Sequence, residues 1–185
     1  MLDSLRLWPT RRPASAWAQA PSPNPPTIRA AISTSLLSLL APGDHLLAQE
    51  CLYGATHGFI ARELARLGIS HTFVRGDDPD QWAAALRPET KAFYCEALTN
   101  PLLEIADLPA IAGFCAARGL VSIIDNTFAS PVLLRPRSLG FDLVLHSATK
   151  NLNGHSDVIA GAVCGDAARV SAIKAKLDVL GGCLD

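Results

Sequence analysis

The chain has 185 residues, 49% of them hydrophobic, and a formal net charge of −1. That length buries a core for one domain, or for one domain and a piece of another. The charge balance offers no electrostatic footprint for nucleic acid or an anionic membrane, and no apolar run reaches the roughly 18–20 residues of a membrane span.

Five scattered cysteines, Cys51, Cys95, Cys115, Cys164 and Cys183, come without a CxxC. They indicate neither a zinc site nor a disulfide framework, and the expected setting is the cytoplasm.

In chain order, residues 1–27 (MLDSLRLWPTRRPASAWAQAPSPNPPT) cluster prolines and carry no sustained amphipathic pattern. They are expected to form a poorly ordered lead-in, with PSPNPP as an extended linker. Asp3 is out of place in a transit peptide, and there is no apolar h-region for a signal peptide. No strand is legible in AWAQAPSPNPP. From Ile28 onward helices and strands alternate. IRAAISTSLLSLLA reads as a helix ended by Pro42-Gly43, followed by a strand over 45–50 and a helix over roughly 56–67 that stops at Gly68. A short strand over 69–74 leads to GDDPDQWAAALR, where Asp78 before Pro79 signals a helix start. KAFYCEA (91–97) is a strand, and DLPAIAGFCAARG a helix with an early proline and a terminal Gly119. LVSIID (120–125) and DLVLHSAT (142–149) are near-continuously apolar, as strands covered on both faces are. GAVCG (161–165) and DAARVSAIKAKLDVLGG close the chain as a strand and a capped helix.

Alternation at this spacing predicts βαβ units. The fold class is therefore α/β, a mostly parallel sheet with helices on both faces. Ligands in such sheets bind beyond the carboxyl ends of the strands. Those ends here are Cys51–Thr56, Glu96–Pro101, Asp125–Thr127 and Ser147–Lys150. They carry Tyr53, Asn100, Asp125 with Asn126 and Thr127, then Ser147, Thr149 and Lys150. Asp125 closes an otherwise apolar strand, and a carboxylate at a buried mouth costs several kcal/mol unless a cation or donors meet it. Taken singly, Asp125 also reads as a cap for the turn DNT, and Lys150 as a solvated lysine. Together they form a different set: a carboxylate for a heteroaromatic N–H⁺, an amine for a carbonyl, hydroxyls for a phosphate and an aromatic ring for stacking. That is what a pyridoxal phosphate site requires. A generic nucleotide-binding module is disfavoured, because neither a P-loop nor GxGxxG occurs. His146 reads as strand packing, His155 with Asp157 as loop and cap contacts, and His57 as a helix-face residue.

The segments GDHLLAQECLYGATHGF, ALTNPLLEIADLPAIA and SIIDNTFASPVLLRPRSLGFDLVLHSATKNLNGHSDVIAGAV resemble the Cys/Met-metabolism family of pyridoxal-phosphate enzymes. That family includes cystathionine γ-synthase, cystathionine β- and γ-lyases, methionine γ-lyase and the homoserine-ester sulfhydrylases. The resemblance covers about residues 30–185, and DNTFASP and SATKNLNGHSDV are its most specific parts. It implies the large cofactor domain of fold-type I enzymes, with pyridoxal 5'-phosphate as cofactor. By the same resemblance, Lys150 matches the lysine of the internal aldimine, and Asp125 the carboxylate on the pyridine nitrogen. Ser147 and Thr149 match hydroxyls on the phosphate. Tyr53 matches the ring-stacking tyrosine that also aids proton transfer. Asn100 lies beside the ring's 3-oxygen, and Thr127 near its other face. The implied reaction is β/γ-elimination or replacement on sulfur amino acids such as cystathionine, methionine or homoserine esters, within transsulfuration and amino-acid biosynthesis. The implied partners are a small amino acid substrate and, with the family's remaining segments, a homo-oligomer; no nucleic acid or membrane is implied.

The chain departs from the family pattern in two places. The Ser-Gly-Met-type turn, whose backbone N–H groups bind phosphate at a helix N-terminus, is replaced by about Thr27, Ile28 and Arg29, without a glycine. The strand before that turn is also missing from the pattern, so an open sheet edge is expected. The small C-terminal domain, which supplies an arginine for the substrate carboxylate, has no counterpart before Asp185. The expected organisation is thus a lead-in over 1–27 and a partial cofactor domain over 28–185. A second reading follows, in which the chain is a truncated, non-catalytic remnant that binds the cofactor or pairs with full-length subunits.

Overall fold

The structure is a computed structural model and describes residues 17–19, 28–155 and 157–180. Residues 1–16 and 20–27 of the proline-rich lead-in lie outside the described residues, as do Ser156 and the C-terminal five with Cys183.

Seven strands form one sheet in the order β1-β7-β6-β5-β4-β2-β3. β2 (His45–Gln49), β3 (Ser70–Val74), β4 (Thr90–Glu96), β5 (Val121–Asp125) and β6 (Leu143–Ser147) run parallel to one another. β7 (Gly161–Cys164) pairs antiparallel with β6. The expected mixed α/β architecture is present. One finding was not expected. Trp17–Gln19, inside the stretch where no strand is legible, forms β1 and pairs antiparallel with β7, Ala18 opposite Val163. The edge of β7 is therefore paired rather than open. Three residues are too few to show a period, and what selects them is the row of backbone donors and acceptors that β7 offers.

Alternation along each strand feeds two cores. Ala92 and Tyr94 of β4, Ile123 of β5 and Leu143 and Leu145 of β6 face one layer. There they pack with α1 (Ile28–Leu39) and α5 (Ala167–Leu180) through Ile32, Leu36 and Ile173. Phe93 and Cys95, Ile124 and Val144 face the other layer, against α3 (Pro79–Ala85) and α4 (Leu108–Arg118). A strand buried on both sides has no polar face, which explains the continuous apolar runs. α2 (Gly54–Gly58) continues as a π-helical turn over Phe59–Leu64, where a single helix was expected.

The helix starts follow the sequence signals. Asp78 caps α3 by accepting from the Gln81 N–H, and Asp107 caps α4 by accepting from the Ala110 N–H at 3.1 Å. Proline follows each cap within the first turn, and Gly119 ends α4 at φ 66°. Asp107→Ala is expected to lower unfolding free energy by about 1 kcal/mol in a urea titration, because it leaves the Ala110 N–H without its acceptor. A change below a few tenths would show that solvent caps α4 equally well.

His57 and His146 serve packing. His57 stacks on Phe73 with ring centroids 4.3 Å apart, and His146 is 2% exposed in β6, where burial lowers its pKa to about 4. His155 and Asp157 both bond to Asn153 rather than to each other. Among the described residues no helix is long and apolar enough to cross a membrane.

Candidate cofactor site

The carboxyl ends of β2, β4, β5 and β6 meet along one edge of the sheet, because strand order brings β4 between β2 and β5. Asp125 is the last residue of β5 and is 8% exposed. Its Oδ1 accepts two bonds from Thr127, one from the backbone N–H at 2.9 Å and one from the hydroxyl at 2.5 Å. Its Oδ2 accepts none among the described residues. Burial raises the carboxyl pKa to about 6 and outweighs the two Thr127 bonds, which pull it down.

The Thr127 hydroxyl has a second role. It accepts the Ser147 N–H at 2.7 Å, so one side chain ties the end of β5 to the end of β6. Ser147 is 6% exposed, and its own hydroxyl makes no hydrogen bond to another described residue. β6 stops there, two residues earlier than the apolar pattern suggests, and Ala148–Leu152 form a π-helical turn. Lys150 interrupts that turn with φ −90° and ψ −121°, and its side chain is exposed. The turn is bound to the DNTF loop by Asn151, whose side-chain amide donates to the Phe128 carbonyl at 3.0 Å. Thr149 faces Ala160: its hydroxyl accepts the Ala160 N–H at 2.9 Å and donates to the Ala160 carbonyl at 3.4 Å.

On the β2–β4 side the organising residue is one that the strand-end reading passed over. Glu96 ends β4, lies beside Asp125 in register and is 4% exposed. Its Oε1 accepts the Tyr53 N–H at 2.8 Å, and its Oε2 accepts the Asn100 N–H at 3.1 Å. Burial lifts Glu96 to about 7, with the two backbone bonds opposing and Asp125 adding to the rise. Tyr53 itself is 38% exposed and precedes α2. A cavity of about 340 Å³ opens next to this edge, lined by Gln49, Cys51, Arg75, Asp77 and Glu104, but it contains none of the seven residues singled out from sequence.

This donor and acceptor set fits pyridoxal phosphate. Asp125 is a buried carboxylate with one oxygen oriented by Thr127 and the other without a donor among the described residues, which is what a pyridinium N–H⁺ needs. Ser147 has a hydroxyl proton to give. Thr149 can keep accepting from Ala160 while turning its proton from the long 3.4 Å bond to a phosphate oxygen, since a hydroxyl both donates and accepts.

The profile of the Cys/Met metabolism PLP-dependent enzyme family matches residues 27–185. Cystathionine beta-lyase MetC of Bacillus subtilis is 48% identical over 132 residues, covering 71% of this chain and 34% of that protein. L-methionine gamma-lyase of Treponema denticola is 44% identical over 137 residues, covering 73% of this chain and 34% of its own length. The crystal structure of cystathionine gamma-lyase from Lactobacillus plantarum, complexed with L-serine, superposes with a TM-score of 0.81 at 40% identity, covering 92% of this chain and 43% of that one. The chain thus spans about a third of the length of the curated relatives it matches.

Proposed function

Because the chain belongs to the Cys/Met metabolism PLP-dependent enzyme family, we propose that it carries the cofactor-holding part of an enzyme for β/γ-elimination or replacement on sulfur amino acids. The names of its relatives support substrates of the cystathionine or methionine type, and the family resemblance adds homoserine esters. The observation that carries the reading is Asp125: a buried carboxylate, aimed by Thr127, with one oxygen that accepts no bond among the described residues, one strand away from the turn that bears Lys150.

The residues divide the work as follows. Asp125 would hold the ring nitrogen and keep it protonated, with Thr127 fixing the carboxylate's orientation. Ser147 and Thr149 would donate to the phosphate. Asn100 would sit beside the ring's 3-oxygen and Tyr53 would stack on the ring. Bound pyridoxal phosphate supplies an aldehyde for an amine and a cationic ring that withdraws electrons from the substrate's α-carbon. Lys150 would hold the cofactor through Nζ and, as a neutral amine facing the substrate, would carry the α-proton and later the β-proton. The Tyr53 hydroxyl would assist that transfer.

The test is a covalent label. The chain mixed with pyridoxal phosphate is expected to turn yellow, and borohydride followed by peptide mapping is expected to place the label on Lys150. Label on Lys91, Lys174 or Lys176 instead, or no label, overturns the cofactor assignment. Release of 2-oxo acid and thiol from cystathionine or methionine supports the catalytic reading. A labelled Lys150 without product assigns the chain to the second reading, that of a cofactor-holding form that does not turn substrate over.

A further inference from the structure

Two of the residues that the proposed function uses, Tyr53 and Asn100, lie in loops that follow different strands, β2 and β4. Each must present its side chain to the same small ring. Neither loop is held by sheet pairing at these positions. What joins them is one side chain, Glu96, with one carboxylate oxygen on each backbone N–H. Glu96 is in turn fixed from behind, since its own backbone N–H donates to the Gln49 side-chain oxygen at 3.0 Å. The far side of the Asn100 loop is pinned separately: Thr99 accepts the Glu104 N–H through its hydroxyl at 2.9 Å and donates its own N–H to the Glu104 carbonyl at 3.0 Å. Among the described contacts of this loop, Glu96 is the one that also reaches the Tyr53 side.

We propose that Glu96 is a positioning residue for the cofactor site, its two carboxylate oxygens clamping the Tyr53 and Asn100 backbones so that the aromatic ring and the amide approach the cofactor together. This rests on the reading that the site takes pyridoxal phosphate. The bidentate use of a buried carboxylate suits the task. Charge-assisted bonds to backbone N–H groups are stronger and shorter than neutral ones, and a carboxylate accepts on both oxygens whereas a carboxamide accepts on one. In Glu96→Gln one of the two N–H groups must face an amide NH₂, so one loop is released while side-chain volume is kept. A buried negative charge is removed at the same time, and that change by itself does not weaken the sheet.

The experiment measures pyridoxal phosphate affinity and the induced circular dichroism of the bound cofactor for the wild-type chain, Glu96→Gln, Asn100→Ala and the double variant. Backbone hydrogen exchange is followed in the same proteins. Glu96→Gln is expected to weaken cofactor binding about tenfold and to reduce the induced signal, the loss expected for one charge-assisted hydrogen bond. Exchange is expected to quicken at Tyr53 or Asn100 while β4 and β5 stay protected. Where exchange quickens at Asn100, the double variant is expected to bind little worse than Asn100→Ala alone, because residues acting through one another do not add; where it quickens at Tyr53, the two losses are expected to add. Wild-type affinity and signal in Glu96→Gln, unchanged exchange at both amides, or losses that add fully although exchange quickens at Asn100, overturn the proposal. If wild type itself takes up no cofactor, or takes it up away from Lys150, the reading of the site fails instead, and the Glu96 role falls with it. Should Glu96→Gln not fold, the wild-type chain decides: Tyr53 and Asn100 amides protected like those of β4 support the clamp, and open-loop exchange rates overturn it.

Discussion

Asp125→Asn is expected to make the cofactor-free chain more stable and the cofactor site useless. The wild-type carboxyl has its pKa raised by burial from 3.8 to about 6. A raised acid binds its proton more tightly in the folded state, so stability is greatest below the unfolded value and falls as pH rises through the window from about 4 to 6. By pH 8 the folded state carries the full cost of an ionised, half-partnered carboxylate, about 3 kcal/mol for a rise of this size. Asparagine keeps an oxygen for the two Thr127 donors and puts an uncharged NH₂ where Oδ2 stands. Urea denaturation at pH 8 should therefore show a gain of up to about 3 kcal/mol that vanishes near pH 4. Pyridoxal phosphate affinity should fall about a hundredfold or more, since the ring cation loses its buried counter-charge. A variant that is no more stable at pH 8, or that still binds cofactor like wild type, would mean that Asp125 is an ordinary turn cap.

Trp82→Ala is the other large effect, and it concerns stability alone. Trp82 is fully buried in the layer formed with α3 and α4. Its ring meets Phe93 and Phe114 edge-on, each at a centroid distance of 5.5 Å, and its Nε1–H donates to the Arg75 carbonyl. Phe114 in turn carries the Arg118 guanidinium 3.8 Å from its ring centre. Truncation removes the largest side chain of this aromatic cluster, opens a cavity and leaves a carbonyl without its donor, an expected loss of about 3–5 kcal/mol. The melting midpoint should fall by roughly 10 °C or more at this chain length. Trp82→Phe should recover most of the packing but not the bond to Arg75. A loss below about 1 kcal/mol for alanine would show that α3 contributes little to the fold.

How far the sequence carried the argument depends on which interaction is considered. The two-sided strands, the helix caps at Asp78 and Asp107, and the clustering of candidate residues beyond the strand ends are all encoded locally. Burial alternates with period two along a strand, and a cap needs only the next three residues. The same local rule flagged Asp125, a carboxylate closing an apolar strand. Glu96 obeys that rule equally, closing KAFYCE, and its Asn100 partner is four residues on, yet its Tyr53 partner is legible only once β4 is known to lie beside β2. Thr127 as the link from Asp125 to the Ser147 backbone likewise requires β5 and β6 to be neighbours in register.

By itself the sequence determined the α/β class, the family and the set of residue types at the sheet's carboxyl edge, because each rests on pattern and identity within short windows. Only the tertiary structure decided three things: that Trp17–Gln19 supply the strand beside β7, that the strand before Lys150 ends at Ser147, and that one glutamate holds Tyr53 and Asn100. In the first and last of these the deciding partner lies more than forty residues away or in another strand, and in the second it is the Asn151 and Ala160 contacts that fold the chain over. A hydrogen-bonding group in a chain declares that it needs a partner; which partner it finds is set by which elements the packed core brings alongside.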